Sequence, residues 1–174
     1  MSGENLRLKD CVTCHSHKHA ISVELLVDGE EYPAHMVATV GTAPEWYTKT
    51  GIYSSLPRQF TCDERYRRET LEVHSPSWGR QVCLNTRNTT LQSDAIIAYW
   101  AAKPSSEITG PADAYGDFEN AGIAQCIDHQ CCFRMELPGK YAVDDVVYPS
   151  HFHLTHWTGD RWSQVAQTVN METS

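Results

Sequence analysis

Short apolar stretches, each ended by a turn signal after a few residues, are what most restrict the fold of this chain. Residues 21–27, ISVELLV, alternate Ile21, Val23, Leu25 and Val27 with neighbours turned to solvent, which is the period of a strand. The following Asp28-Gly29 favours a tight hairpin turn, and HMVATV at 35–40 stands where a second strand would return. Residues 41–80 carry Pro44, Pro57, Pro76, Gly41, Gly51 and Gly79 and read as loop-rich, with a strand at 70–74. A short strand fits 81–84. SDAIIAYWAA at 93–102 is apolar throughout its centre, and its period alone does not separate a buried strand from a short helix. Residues 104–122 are turn-rich. IAQCI and CCFRMEL read as two strands joined by DHQ, PGKY as a turn, VVYPSHFHLTHW as the longest strand, and 162–169 as a last one. Many short strands at close spacing predict a mainly β fold, a sandwich or barrel.

The 174 residues fit a single domain, 1–174, with a Cys/His-rich extension over 1–20 and the β-sandwich over 21–174. A net charge of −8 argues against nucleic acid as a partner, because phosphate neutralisation needs clustered Lys and Arg. Arg65, Arg67 and Arg68 form the one basic knot, and Asp63, Glu64 and Glu69 flank it. No apolar run reaches the length of a membrane span. The polar start, MSGENLRLKD, lacks the apolar centre of a leader, so the expectation is a cytoplasmic protein unless a leader has been removed. The 7 cysteines would be thiols or metal ligands in the cytosol, or three bridges and one spare outside it. The one glycosylation triplet, Asn88-Thr89-Thr90, does not decide between these.

His151, His153 and His156 crowd into YPSHFHLTHW. On a strand, His151, His153 and Thr155 share one face, while Phe152 and Leu154 take the other and would enter the core. Two imidazoles on one face can coordinate a single cation. The plainer reading is a histidine pair on a polar sheet face with no ion.

The run from DAIIAYWAA through AYGDFENAGIAQCIDHQCCFRMELPGKYAVDDVVYPSHFHL resembles the intradiol ring-cleavage dioxygenases over roughly 91–157. The counterparts are the strand ending at Trp100, the loop 103–121, strands around Cys126 and Phe133, LPGKY at 137–141, and the Pro-x-His-x-His strand at 148–153. The resemblance implies a β-sandwich holding a mononuclear ferric ion between two tyrosines and two histidines. His151 and His153 match the histidine pair, and Tyr141 matches the tyrosine after the Pro-Gly turn. The family's first tyrosine would fall within about a dozen residues of Trp100, where this chain has none; Tyr115 is the next candidate. Tyr148 stands where the family places an arginine. Tyr148 and His156 are the expected proton-moving groups near the substrate.

The implied activity is that of a metal-dependent oxidoreductase acting on a small phenolic or catechol-like aromatic and O2. Iron is the first metal expected, with copper or zinc as alternatives. A homodimer is one assembly this allows. The competing reading is a non-catalytic β-sandwich binding or assembly module with structural zinc.

CVTCHSHKH at 11–19 is a second concentration of ligands. Cys11 and Cys14, with His15, His17 or His19, could hold a further metal. Its remaining ligands would come from His35, Cys62, Cys83 or the Cys131/Cys132 pair. Cys-x-x-Cys-His is also formally a haem attachment pattern, although the β-branched segment that follows does not suit one. Bare thiols on a polar edge remain the plain alternative. A Cys–His nucleophile pair has no motif to single it out. Trp46, Trp78, Trp157 and Trp162 read most simply as packing residues.

Overall fold

A computed structural model of the protein describes residues 20–38, 57, 59–163 and 166–171. The extension with Cys11, Cys14, His15, His17 and His19 lies outside the described residues, as does Trp46. The described chain is mainly β, as the strand signals predict. In chain order the strands are β1 Ala20–Ser22, β2 Leu25–Val27, β3 Glu30–Glu31, β4 Ala34–Ala38, β5 Arg80–Asn85 and β6 Ile96–Ala101. They continue with β7 Ala121–Ile127, β8 Gln130–Met135, β9 Tyr141–Val143, β10 Val146–Tyr148, β11 His151–His156 and β12 Gln167–Met171. Among the described residues, two short helices, α1 Gln59–Cys62 and α2 Pro111–Tyr115, and a 3-10 turn at Glu64–Tyr66 interrupt them.

Ten strands join into one curled antiparallel sheet in the order β1-β4-β12-β11-β6-β7-β8-β5-β2-β3. The curl originates in β7, which changes partner along its length. Ala121–Gln125 pair with β6, whereas Cys126 and Ile127 pair with β8. Where β8 departs, His74 takes over the open edge of β7 by exchanging backbone hydrogen bonds with Ile123 at 2.9 and 3.1 Å. Those groups would otherwise be buried without partners. This bridge is all that forms of the strand expected at 70–74. The gap is closed by buried Asn120, whose amide donates to the carbonyls of Ala102 and Glu136 and accepts from the Glu136 N–H, each at 2.9 Å.

The curl brings the two ends of the sheet together around one apolar core. Leu25 and Val27 of β2 and Leu84 of β5 share it with Met36 of β4, Leu154 of β11 and Val169 of β12. The segment expected as one strand over 21–27 is therefore two. β1 pairs with β4 at one end of the sheet and β2 with β5 at the other, and the chain crosses at Val23–Glu24. Asp28 and Gly29 do make the tight turn, with φ of 52° and 85°, but they join β2 to the two-residue β3. His35–Ala38 of HMVATV, with Ala34, form β4 against β1 and β12, and the last two residues of the segment lie outside the described residues.

The expected long strand over 146–157 also breaks. Pro149 cannot donate to a ladder, so β10 ends at Tyr148 and folds back on β9 as a separate hairpin, and β11 begins at His151. SDAIIAYWAA resolves as strand β6. It alternates Ile97, Tyr99 and Ala101 into the inner core with Ala98, Trp100 and Ala102 into a second apolar cluster on the outer face.

Among the described residues, four cysteines are disulfide-bonded, Cys83 to Cys132 and Cys126 to Cys131. As adjacent residues on a strand must, Cys131 and Cys132 face opposite ways, the first into the core and the second outward. Bound in this way, Cys83, Cys131 and Cys132 do not act as thiolate ligands to a second metal site. Among the described residues, no helix is long and apolar enough to cross a membrane.

Candidate metal centre

The outer face of β11 and β6 carries the site. Strand alternation puts His151 and His153 on that face, and Phe152 and Leu154 go into the inner core as the period predicts. Two separate segments then fold over the histidines. The loop after β6 ends in α2, which delivers Tyr115 as its last residue before Gly116 turns the chain away. The Pro138-Gly139 turn is tied down by the Ser150 hydroxyl, which donates to the Pro138 carbonyl at 2.6 Å, and by the Gly139 N–H, which donates to Lys103. That anchoring sets Tyr141 at the start of β9. The Ala142 N–H bonds the Thr109 carbonyl at 2.9 Å, which joins the two overlying segments to each other.

Three donor atoms meet. The Tyr141 hydroxyl is 3.0 Å from His151 Nε2, the Tyr115 hydroxyl is 3.1 Å from the Tyr141 hydroxyl, and Tyr115 is 3.4 Å from the same His151 nitrogen. The His153 ring lies beside them, its centroid 4.9 Å from that of His151 and 6.3 Å from that of Tyr115. The four side chains are between 0 and 4% exposed. All four ligand residues that the resemblance implies are thus gathered in one place, Tyr115 included.

For His151 a hydrogen bond fixes which nitrogen the ring presents. A carbonyl only accepts, so His151 Nδ1 carries the proton that it donates to the Pro149 oxygen at 2.6 Å. Its lone pair is therefore on Nε2, facing the tyrosines. His153 Nδ1 is engaged by the Thr168 hydroxyl at 3.0 Å, from the opposing residue of β12. Metal-binding histidines are commonly held through their other nitrogen in this manner. Burial holds both imidazoles below their ordinary pKa, and His151 adds to the effect on His153. Both rings are accordingly neutral at neutral pH, the state in which imidazole binds a cation.

Donor atoms about 2 Å from a shared cation stand roughly 3 Å from one another, and the spacings here match. The donor set suits a hard, highly charged ion, because phenol oxygens can bind as anions. Among the described residues no three His, Cys, Asp or Glu side chains converge on a common point; two histidines and two tyrosines make up this cluster. Without an ion the same atoms form a satisfied network in which Tyr141 donates to His151, and a proton can pass between Tyr115, Tyr141 and His151 Nε2.

The two residues expected to move protons are placed differently. Tyr148 pairs with Tyr141 across the β9–β10 hairpin, ring centroids 5.9 Å apart, and borders the cluster. His156 lies at the far end of β11, on the strand face opposite His151, and does not join the site. Burial alone lowers its pKa. Sequence reasoning missed Thr168 and Phe118. Thr168 is found only once the register of β12 is known. Phe118, whose ring is 5.5 Å from that of Tyr115, has a φ of 57° that no pattern in its neighbours announces.

Beyond Phe118 opens a cleft of about 690 Å³, walled by Tyr66, His74, Trp78 and Phe118 and edged by Asp117 and Glu119. Trp78 is exposed there, and not in the core as its type suggests. Trp162 is buried as expected, and its indole N–H donates to the Tyr66 carbonyl at 2.7 Å.

Comparison with family models, with curated proteins and with solved structures finds no match to this chain.

Proposed function

We propose that the protein is a mononuclear iron oxidoreductase that opens the ring of a small catechol-like aromatic with O2, in the manner of the intradiol dioxygenases. The observation that carries this reading is the meeting of Tyr115, Tyr141 and His151 within 3.0 to 3.4 Å, with His153 beside them. Two phenolates and two neutral imidazoles favour ferric iron over divalent ions, since two anionic ligands offset most of its charge. In this reading the curled sheet is a sandwich of the intradiol kind, with β11 and β6 facing β5 and β8 across the inner core.

The iron would supply the Lewis-acid character that makes a catechol dianion reactive toward O2. The chain's own residues bind, orient and exclude. Pro149 and Thr168 hold the two imidazoles in place. Trp100, whose ring is 5.4 Å from His153, and Phe118 keep water from the centre. Tyr115 and Tyr141 would hold the iron as phenolates beside His151 and His153, and either phenol oxygen would be placed to accept a proton from a catechol hydroxyl. Overall, the bond between the two hydroxyl-bearing carbons breaks and both atoms of O2 enter the resulting dicarboxylate, so no external reductant is consumed. In this reading the aromatic would enter from the cleft beyond Phe118, which reaches Phe118 but none of the four cluster side chains, so Phe118 would have to turn aside.

Incubating iron-loaded protein with catechol under isotope-labelled O2 tests this. A ring-opened dicarboxylate carrying both labelled atoms, absent with Tyr141→Phe, is the expected product. Unchanged catechol in the presence of bound iron would overturn the enzymatic reading.

A second reading has its own observation. The four side chains are nearly sealed from solvent, and Tyr148 occupies the position of the family's arginine. Both fit a non-catalytic module in which the ion, zinc included, ties α2 and the β9–β10 hairpin to the sheet.

A further inference from the structure

Four cysteines and one tripeptide point to the same compartment. Cys83 faces Cys132 directly across the β5–β8 ladder, and Cys126 faces Cys131 across β7–β8. Both pairs are bonded, with Cα atoms 4.1 Å apart in each. The Cys126–Cys131 bond sits in the inner core and the Cys83–Cys132 bond on the outer side of the same strands. A cytosolic thiol pool keeps such pairs reduced, whereas a secretory lumen oxidises them. Asn88-Thr89-Thr90 is the single Asn-x-Ser/Thr triplet in the sequence. It is read in that same lumen in eukaryotic cells.

We propose that Asn88 is an N-glycosylation site. The loop after β5 is shaped to display it. Thr86 to Thr89 form a turn closed by the Thr89 N–H, which donates to the Thr86 carbonyl at 3.0 Å, and by the Thr89 hydroxyl, which donates to the same oxygen at 2.7 Å. The Leu91 N–H caps that hydroxyl at 3.0 Å. The middle residue of the triplet thus builds the turn. The two that matter for glycosyl transfer, Asn88 and Thr90, are exposed, and no hydrogen bond among the described residues engages their side chains. A bulky glycan is tolerated where the folded chain leaves its carboxamide in solvent.

The loop also points away from the metal centre. It feeds the start of β6, where Ile97 pairs with His156; the Tyr/His cluster lies by the other end of β6, where Ala101 pairs with Phe152. A glycan at Asn88 therefore does not crowd the cluster. The transfer joins the Asn88 carboxamide nitrogen to the anomeric carbon of a lipid-diphosphate-linked sugar. The C–N bond forms, the sugar–phosphate bond breaks, an amide proton is lost and the lipid diphosphate leaves.

The test passes the full chain, behind a cleavable leader, through a eukaryotic secretory pathway. The product is treated with peptide-N-glycosidase, and a non-reducing peptide map is taken from the same sample. A single shift in mobility is expected for the wild-type chain and for Thr89→Ala, and none for Asn88→Gln or Thr90→Ala. Secreted protein with both disulfides formed but no shift overturns the assignment. So does a map in which Cys83, Cys126, Cys131 and Cys132 all react as thiols, because the compartment argument then fails.

Discussion

Nε2 of His151 and the hydroxyl of Tyr141 stand 3.0 Å apart, although one begins the central strand β11 and the other a hairpin outside the main sheet. The Pro149 carbonyl aims the imidazole and the docked Pro-Gly turn aims the phenol. Because each is held from outside the cluster, the pair is organised before any ligand arrives.

Removing that outer support should weaken metal binding without touching a ligand. Thr168→Val deletes the hydroxyl on His153 Nδ1 and keeps the shape of the side chain. Loss of such a partner typically lowers metal affinity about 10-fold to 100-fold. Competition against a chelator of known affinity measures it. Unchanged affinity would show that His153 is not a ligand.

The Cys83–Cys132 bond spans 49 residues of sequence. Loops of that size are worth about 3 to 4 kcal/mol when cross-linked. Replacing both residues with alanine should lower the free energy of unfolding by about that amount in denaturant titrations. The Cys126–Cys131 bond closes a separation of only 5 residues and should matter less to the chain entropy. Measured as the loss on reduction of each bond with the other pair replaced by serine, so that core truncation does not enter, equal losses would contradict this order.

Gly122 fixes how closely the sheet wraps. A Cβ there would lie 2.4 Å from the His74 carbonyl oxygen and 2.6 Å from the Tyr99 hydroxyl. The first is backbone in the bridge that seals β7, and the second bonds Ser75 and the Arg134 carbonyl. Gly122→Ala should therefore destabilise by about 1 to 3 kcal/mol, the usual cost of overpacking. A shift in the thermal midpoint checks it.

Tyr99, with Tyr66, sets part of the alkaline limit of stability, since burial raises both phenols. Burial pushes the Tyr99 phenol above the ordinary value of 10.0. As pH rises past 10.0 the unfolded chain releases this proton while the folded one keeps it, so the balance moves toward unfolding. The contribution is complete below that pH and is lost progressively above it. Urea midpoints followed from pH 9 to 11 should fall, and Tyr99→Phe should flatten the decline.

Much of this arrangement could be read in the residues. The period of two put His151 and His153 on one face and Phe152 and Leu154 on the other, because a strand permits nothing else. Asp28-Gly29 marked its turn for the same local reason. Long-range pairing was not legible. Nothing in ISVELLV shows that Ile21 and Leu25 belong to opposite ends of a sheet, since that depends on β7 exchanging partners about a hundred residues later. Pro149 should have signalled the break before β11, but the apolar run on either side masked it. Tyr115 entered through resemblance alone, as helix α2 is too short to have a recognisable period. Alternation already puts His156 on the Phe152 face, and only a bulge could have turned it toward the site; the unbroken pairing of β11 with β6 leaves it on that face.

The most direct test of the metal centre is the visible spectrum of untagged, iron-loaded protein, with metal counted on the same sample. A single ferric ion per chain should give a red-brown phenolate-to-iron charge-transfer band that weakens in Tyr141→Phe and is lost in His151→Ala. A colourless protein with stoichiometric zinc, or a band indifferent to both substitutions, would contradict the account.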